Sequence, residues 1–274
     1  MTEAPTTSSE TWIDTHAHLD GDEFADDLDD VLRRAHAAGV NRIVCPAIGA
    51  ASSRRVLELA ASRPSLAATV GIHPNCIEDE PEDAWETVVE LAETHRDRIV
   101  ALGETGLDWY RPYTPRERQI DFFRRHLELG ARLDLPVIIH CREADDTMLP
   151  LLQETMQRRP FRGIMHACAA PPSLVREYAA LGLFISFAGP VTFTNKSCEP
   201  LRESARIVPE DQLLVETDSP YLTPMPHRGK IRRNEPGMVV HTGRFIASLR
   251  NTTAAALAAI TTHNACRVFG WEMP

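Results

Sequence analysis

Short, nearly continuous apolar segments alternate with segments of helical periodicity along most of the chain. Segments such as "RIVCPAI" and "PVIIHCREA" are typical of parallel strands that are covered on both faces. The segments between them repeat apolar residues every three or four positions, as in "PRERQIDFFRRHLELGARLD". Starting at "TWIDTHAH", this pattern predicts eight strand–helix units at intervals of about 30 residues.

Eight such units predict an α/β fold, a (β/α)8 TIM barrel, with a doubly wound sheet as the alternative. The chain has 274 residues, 43% of them hydrophobic, which allows one large core. No linker or low-complexity segment divides it, so we predict a single domain over residues 11–274. Residues 1–10, "MTEAPTTSSE", lack the basic and apolar regions of a signal peptide. We expect them to be a short disordered tail.

Charge and cysteine content narrow the classes of function. The formal net charge of −10 excludes a general attraction to nucleic acid or to an anionic membrane, so a phosphate-bearing substrate would need local cations or metal ions. No apolar stretch approaches the roughly 18 residues that span a bilayer. The six cysteines are scattered, which favours reduced thiols and a cytoplasmic protein. No obligate protein partner is indicated.

Side chains that bind metal ions follow most of the predicted strands. In a barrel the carboxyl ends of all strands share one rim, where active sites are built. Residues at positions i and i+2 of a strand point to the same face, so two histidines spaced in this way converge on one point. In strand order the candidates are His16 and His18, His73, Glu104, His140, His166, and Glu216 with Asp218.

Imidazole nitrogens and carboxylate oxygens that converge on one point are ligands for a divalent metal ion. Four histidines and two carboxylates are enough for two ions if one carboxylate bridges them. Two ions about 3.5–4 Å apart would hold a hydrolytic water together with the substrate oxygen. The ligand types favour Zn or Mn over Mg.

At these residues the chain resembles the TatD family of metal-dependent deoxyribonucleases, within the amidohydrolase-like barrel enzymes. The resemblance runs from about residue 11 to residue 270 and is carried by "DTHAHLD", "VGIHPN", "GETGLDWY", "VIIHCREA", "ISFAGPVTF", "LLVETDSPYLTPMPHRGK", "NEP" and "HNACRVFG". It implies that His16 and His18 bind one ion, that His140 and His166 bind the other, that Glu104 bridges both and that Asp218 completes the site. It also implies that Mg can support activity.

The function expected from the resemblance is hydrolysis of phosphodiester bonds by a metal-activated water, as an exonuclease on single-stranded DNA. Asp218 would act as the general base and Glu104 as the bridging catalytic carboxylate. His73 and Arg142 are candidates for contact with a substrate phosphate, with local packing or an ion pair as the alternatives. Glu216 is a candidate to orient a ligand from behind it.

Other positions near the predicted rim have two interpretations or depart from the family pattern. Asp108, Trp109 and Tyr110 could line the pocket and offer faces to a base, or could simply cap the barrel. Ala167-Cys168-Ala169-Ala170 and Asn75 replace residues that are common in the family. The loop "HRGKIRRNEP" is about two residues longer than usual and adds Arg232 and Arg233 near the mouth.

Two alternative functions remain open at this point. The first is an amidohydrolase-type hydrolase of a small ester, lactone or amide, but those sites often bridge their metals with a carboxylated lysine where this chain has Glu104. The second is a barrel that binds a ligand without turnover. A complete set of six ligands argues against it.

Overall fold

The structure, a computed structural model, describes residues 10–273 and contains one sheet of eight parallel strands. Each strand pairs with its neighbours in the chain, so the sheet order is the sequence order. The strands are β1 (Trp12–Asp14), β2 (Val40–Cys45), β3 (Leu66–Val70), β4 (Ile99–Asp108), β5 (Val137–Arg142), β6 (Gly163–Met165), β7 (Phe184–Phe187) and β8 (Leu213–Val215).

Every strand is followed by helix, as the periodicity predicts. Among the described residues, none of the helices has the length and apolar character that a membrane crossing needs. The α-helices are α1 (Leu28–Ala37), α2 (Ala50–Ser62), α3 (Ala84–Thr94), α4 (Arg116–Leu133), α5 (Asp145–Arg158), α6 (Pro172–Ala180), α7 (Glu199–Ile207), α8 (Val239–Leu249) and α9 (Ala254–Phe269).

The barrel closes where the chain beyond β1 meets the chain beyond β8. Thr15 donates its backbone N–H to the carbonyl of Val215 at 3.3 Å, and His18 donates to the carbonyl of Ser219 at 2.8 Å. Ala17 and Ser219 form an isolated parallel bridge. Together with the sheet order, these contacts confirm the predicted single-domain (β/α)8 barrel.

The inside of the barrel is packed at one end and polar at the other. One buried apolar side chain from every strand joins a single cluster, which α9 completes with residues such as Val268 and Phe269. The strand residues of this cluster are Ile13, Val44, Ala67, Ala101, Ile138, Ile164, Phe184 and Leu214. Because α9 seals this end, the opposite rim is where a ligand can enter.

The beginning of the fold differs from the sequence expectation at two places. Of the predicted disordered tail, residues 1–9 lie outside the described residues, while the Glu10 carboxylate accepts hydrogen bonds from Trp12 and Arg244. The helical periodicity of "FADDLDDVLRRAHAAG" predicts a first helix that starts at Phe24, and this start was wrong. Asp22–Phe24 form a separate 3-10 turn, and α1 begins only at Leu28.

Candidate metal centre

The predicted site residues meet at the rim opposite to α9. His140 lies inside β5, and His166 directly follows β6. Glu104 was expected after the fourth strand, but it lies within β4, which continues to Asp108 and pairs with β5 as far as Arg142. Gly106 allows this pairing, because its φ is +144° and a Cβ there would overlap the carbonyl oxygen of His140.

Glu104 lies at the centre of the site and directs its two carboxylate oxygens to different sets of histidines. Oε2 lies 3.2 Å from Nε2 of His16 and 3.4 Å from Nε2 of His18. Oε1 lies 2.9 Å from Nδ1 of His140, 2.8 Å from Nε2 of His166 and 3.3 Å from Nε2 of His73. One carboxylate therefore faces two groups of nitrogen ligands.

Asp218 completes the first of these groups. Its Oδ1 lies 3.5 Å from Nε2 of His18 and 3.7 Å from Nε2 of His16. The ring of His16 also stacks on that of His166, with centroids 4.0 Å apart. Among residues 10–273, ligand atoms close enough to share an ion occur in three overlapping groups: His16 with His166 and Asp218, His16 with His18 and Glu104, and His73 with Glu104 and His140.

The donor set also fits a cation by its charge. Three carboxylates near the rim are at most 2% exposed, namely Glu104, Asp108 and Glu216. Within residues 10–273 their ion-pair partners are histidines, and no lysine or arginine lies within pairing distance of them. Buried negative charge without a fixed cation is costly, and divalent ions held by these ligands would neutralise it.

The pKa values of the site show the same demand for positive charge. Burial alone would lower the pKa of His18, but hydrogen bonds with Asp218 and Glu104 raise it to about 10. Burial is likewise outweighed at His166, where Glu104 holds the pKa well above its usual value. At Glu104 itself, burial raises the pKa, but the surrounding imidazoles outweigh this and hold it well below its usual range.

Asp14 is a site residue to which sequence reasoning assigned no role. Its carboxylate accepts hydrogen bonds from the backbone N–H of Thr217 at 2.9 Å, the Thr217 hydroxyl at 2.5 Å and the backbone N–H of His16 at 3.2 Å. Asp14 thereby ties the end of β1 to the segment after β8. The sequence signal was its place two residues before the first histidine.

Asp108 and Glu216 each hold a candidate ligand from behind. Nε2 of His140 lies 3.2 Å from Oδ2 of Asp108, which also accepts a hydrogen bond from the Asn75 side chain at 2.8 Å. Oε1 of Glu216 lies 3.4 Å from Nδ1 of His166 and accepts the backbone N–H of Ala167. Carboxylates in this position fix the orientation of a metal-binding imidazole.

Of the remaining candidates, Arg142 and Trp109 lie near the mouth of the barrel, whereas Arg233 is bound to another part of the surface. The Arg142 guanidinium is exposed and stacks on Tyr110, with its Cζ 3.9 Å from the ring centroid. Trp109 is half-buried and covered by Arg116. Arg233, from the longer loop, pairs with Asp27 at 2.7 Å, so its role is to hold that loop against the start of α1.

Comparisons of sequence and of structure with known proteins match this chain to the same family. Residues 13–270 match the family model described as "TatD related DNase". The uncharacterized metal-dependent hydrolase YabD of Bacillus subtilis is 37% identical over 94% of this chain and 98% of its own length. The 3'-5' ssDNA/RNA exonuclease TatD of Escherichia fergusonii is 34% identical over 94% and 98%. The crystal structure of YJJV, a TatD homologue from Escherichia coli K12, has a TM-score of 0.89 at 30% identity and covers 95% and 98%.

Proposed function

The chain belongs to the TatD-related DNase family and is a metal-dependent hydrolase, and from this premise we propose that it cleaves phosphodiester bonds of single-stranded DNA as an exonuclease. The name of a relative supports the substrate, since the Escherichia fergusonii protein is a 3'-5' ssDNA/RNA exonuclease by name. The clustering of nitrogen and oxygen ligands at the barrel rim supports the metal dependence.

The observation that carries the proposal is the division of the Glu104 carboxylate between two groups of histidines. In this proposal His16 and His18 hold one divalent ion with Asp218, His140 and His166 hold a second, and Glu104 contacts both. The ligand types favour Zn or Mn, with Mg as the third possibility. When bound, the two ions would supply Lewis acidity to a phosphoryl oxygen and acidify a water.

The protein's own groups supply proton transfer and substrate contacts. Burial raises the pKa of Asp218, but the neighbouring His18 and His16 outweigh this and lower it, so its carboxylate is ionised at neutral pH and can accept a proton from the attacking water. The Arg142 guanidinium is at the mouth and unburied, where it can hold a phosphate through paired N–H donors. We assign the same contact to His73. Its Nε2 lies 3.3 Å from Oε1 of Glu104, close enough to serve as a further ligand of a metal ion.

The test compares substrates and counts metal ions in the same preparations. Purified protein is assayed with a single-stranded oligonucleotide and with a panel of small esters, lactones and amides, and its metal content is measured by elemental analysis. We expect oligonucleotide cleavage, two ions per chain, and loss of both activity and one ion in the His16→Ala/His18→Ala variant. The matched control is His263→Ala, an exposed histidine on α9.

Each alternative function has its own outcome in this test. Turnover of a small ester, lactone or amide without oligonucleotide cleavage would replace the nuclease with an amidohydrolase-type hydrolase. Binding without turnover of any substrate would leave a non-catalytic barrel. Full metal occupancy in the double variant would remove the assignment of the first ion.

A further inference from the structure

Three tyrosines at the mouth expose more than half of their surface. Tyr110, Tyr113 and Tyr221 are 51%, 57% and 58% exposed, whereas Tyr178 is fully buried. Two of them lie in the connection from β4 to α4, directly after Asp108. Exposed aromatic faces grouped beside a candidate active site are a feature of ligand-binding surfaces.

The connection that carries these tyrosines is fixed to the candidate metal centre. Oδ1 of Asp108 accepts the backbone N–H groups of Tyr110 and Arg111, each at 2.9 Å, while Oδ2 of the same carboxylate faces His140. The backbone N–H of Trp109 donates to the carbonyl of Arg142 at 2.9 Å. The backbone at Tyr110 and Arg111 is therefore held at a set position relative to His140.

Two arginines lie against these rings without a counter-ion. Arg142 stacks on Tyr110, and the Cζ of Arg111 lies 5.6 Å from the ring centroid of Tyr110 and 5.8 Å from that of Tyr113. Nearby, Arg118 pairs with the carboxylate of Glu78. Within residues 10–273, neither Arg111 nor Arg142 has such a carboxylate partner. In a chain of net charge −10, unpaired guanidinium groups at the mouth point to an anionic ligand.

We propose that Tyr110, Tyr113, Arg111 and Arg142 form a nucleotide-binding rim, in which a tyrosine face stacks on an unpaired base and the arginines contact the adjoining phosphates. Contact with the Tyr110 ring also restrains the Arg142 side chain, so less conformational freedom is lost when a phosphate binds. A base must leave its duplex to expose its face, so the rim selects single strands. This inference rests on the proposed function and names the residues that set its substrate class.

The test uses the metal-loaded protein and three substrates: a thymidine oligonucleotide, its duplex, and bis(p-nitrophenyl) phosphate, a small diester that carries no nucleobase and no neighbouring phosphate. We expect Tyr110→Ala to lower kcat/KM for the single strand about tenfold more than for the small diester, mainly through KM. The preference for single strand over duplex should fall with it. Tyr110→Phe keeps the ring and should behave as the unmodified protein.

The control for a guanidinium–aromatic stack is Arg42→Ala. Arg42 stacks on Trp271, with its Cζ 4.8 Å from the ring centroid, and lies on β2 away from the mouth, so its loss should change none of the three activities. If Tyr110→Ala leaves the ratio of kcat/KM between the single strand and the small diester unchanged, the proposed rim is overturned while the nuclease activity stands. Failure of the unmodified protein to cleave either diester would instead overturn the proposed function.

Discussion

Asp218 donates its backbone N–H to the carbonyl oxygen of His16 across 2.9 Å, which joins the first and the last candidate ligands through the main chain. Asp218 has a φ of 56°, in the left-handed region that residues with a side chain seldom adopt. The cost of that conformation is offset by this bond and by the Asp14 contacts beside it. Closure of the barrel and assembly of the site therefore depend on the same junction.

Asp14→Asn tests this junction. An asparagine offers one oxygen and an amide N–H2 where the carboxylate now accepts three hydrogen bonds from Thr217 and His16, so at least one buried donor loses its acceptor. We expect the free energy of unfolding to fall by about 1–3 kcal/mol. Turnover should fall roughly 10–100-fold through misplacement of His16. Urea denaturation and kinetics measure the two effects, with Asp97→Asn on the surface as the control.

Glu104→Gln tests the division of one carboxylate between two groups of histidines. Glutamine has nearly the same shape but is neutral and a poor bridge, so we expect loss of one metal ion. The rate constant kcat should fall by at least about 10³-fold, on the order of 4 kcal/mol in the barrier. Elemental analysis and kinetics decide the matter, and two retained ions with near-normal turnover would contradict the two-ion proposal.

Variants of two further glutamates show how specific the effect of Glu104→Gln is. Glu216→Gln removes the support behind His166 without removing a proposed ligand, and its cost should be smaller, roughly 10–100-fold in kcat. Glu90→Gln, exposed on α3, should change neither metal content nor turnover. A loss in Glu216→Gln equal to that in Glu104→Gln would place Glu216 among the ligands.

The sequence could predict the rim because barrel topology brings strand ends together. Once eight strand–helix units were recognised, His140 and His166 had to reach the same rim from β5 and β6, and the structure brings their ring nitrogens within 3.2 Å. Gly39 ends the helical pattern "FADDLDDVLRRAHAAG", where a C-terminal cap is expected, and its φ of +90° fits that position. Periodicity and topology are enough for predictions of this kind.

The contacts that orient the ligands could not be predicted in this way. Asp14 and Thr217 are separated by 203 positions, and their pairing depends on the path of the chain beyond β8. Asn75 was noted as a departure from the family pattern, but its hydrogen bond to Asp108 depends on how two loops meet. The late start of α1 has a similar cause, because Arg233 lies over Phe24 and pairs with Asp27 just before the helix.

Binding of divalent metal should release protons. Hydrogen bonds with Asp218 and Glu104 raise the pKa of His18 to about 10 despite burial, and the charge of Glu104 raises the pKa of His166 well above its usual value, so both imidazoles hold a proton more tightly in the metal-free protein. Metal binding needs neutral imidazoles, so affinity should rise with pH, and about one to two protons should leave per chain at pH 7. Titration calorimetry with Zn²⁺ in PIPES and in TES gives the number.

The difference in binding enthalpy between the two buffers measures proton release, and the double histidine variant is its control. Because the two buffers have different heats of protonation, their binding enthalpies should differ in the intact protein and differ less in His16→Ala/His18→Ala. Equal enthalpies in both buffers would show that the histidines are already neutral before metal binds.

His126 should make the stability of the barrel depend on pH independently of the metal centre. It is fully buried on α4, where its Nε2 accepts the backbone N–H of Ile72 at 3.1 Å, and burial lowers its pKa to about 4 from the ordinary value of 6.5. Between these values the unfolded chain binds a proton that the folded chain does not, so stability falls as pH falls. The loss approaches about 3 kcal/mol once the pH is below both values.

The measurement is the free energy of unfolding in urea between pH 4.5 and 7, for the unmodified protein and for His126→Gln. Glutamine can still accept from Ile72 but does not titrate, so the dependence on pH should be weaker by roughly 1 kcal/mol per unit averaged over this range. His263→Gln, on the surface of α9, should keep the full dependence. If His126→Gln retains the slope of the unmodified protein, the proton that destabilises the fold binds elsewhere.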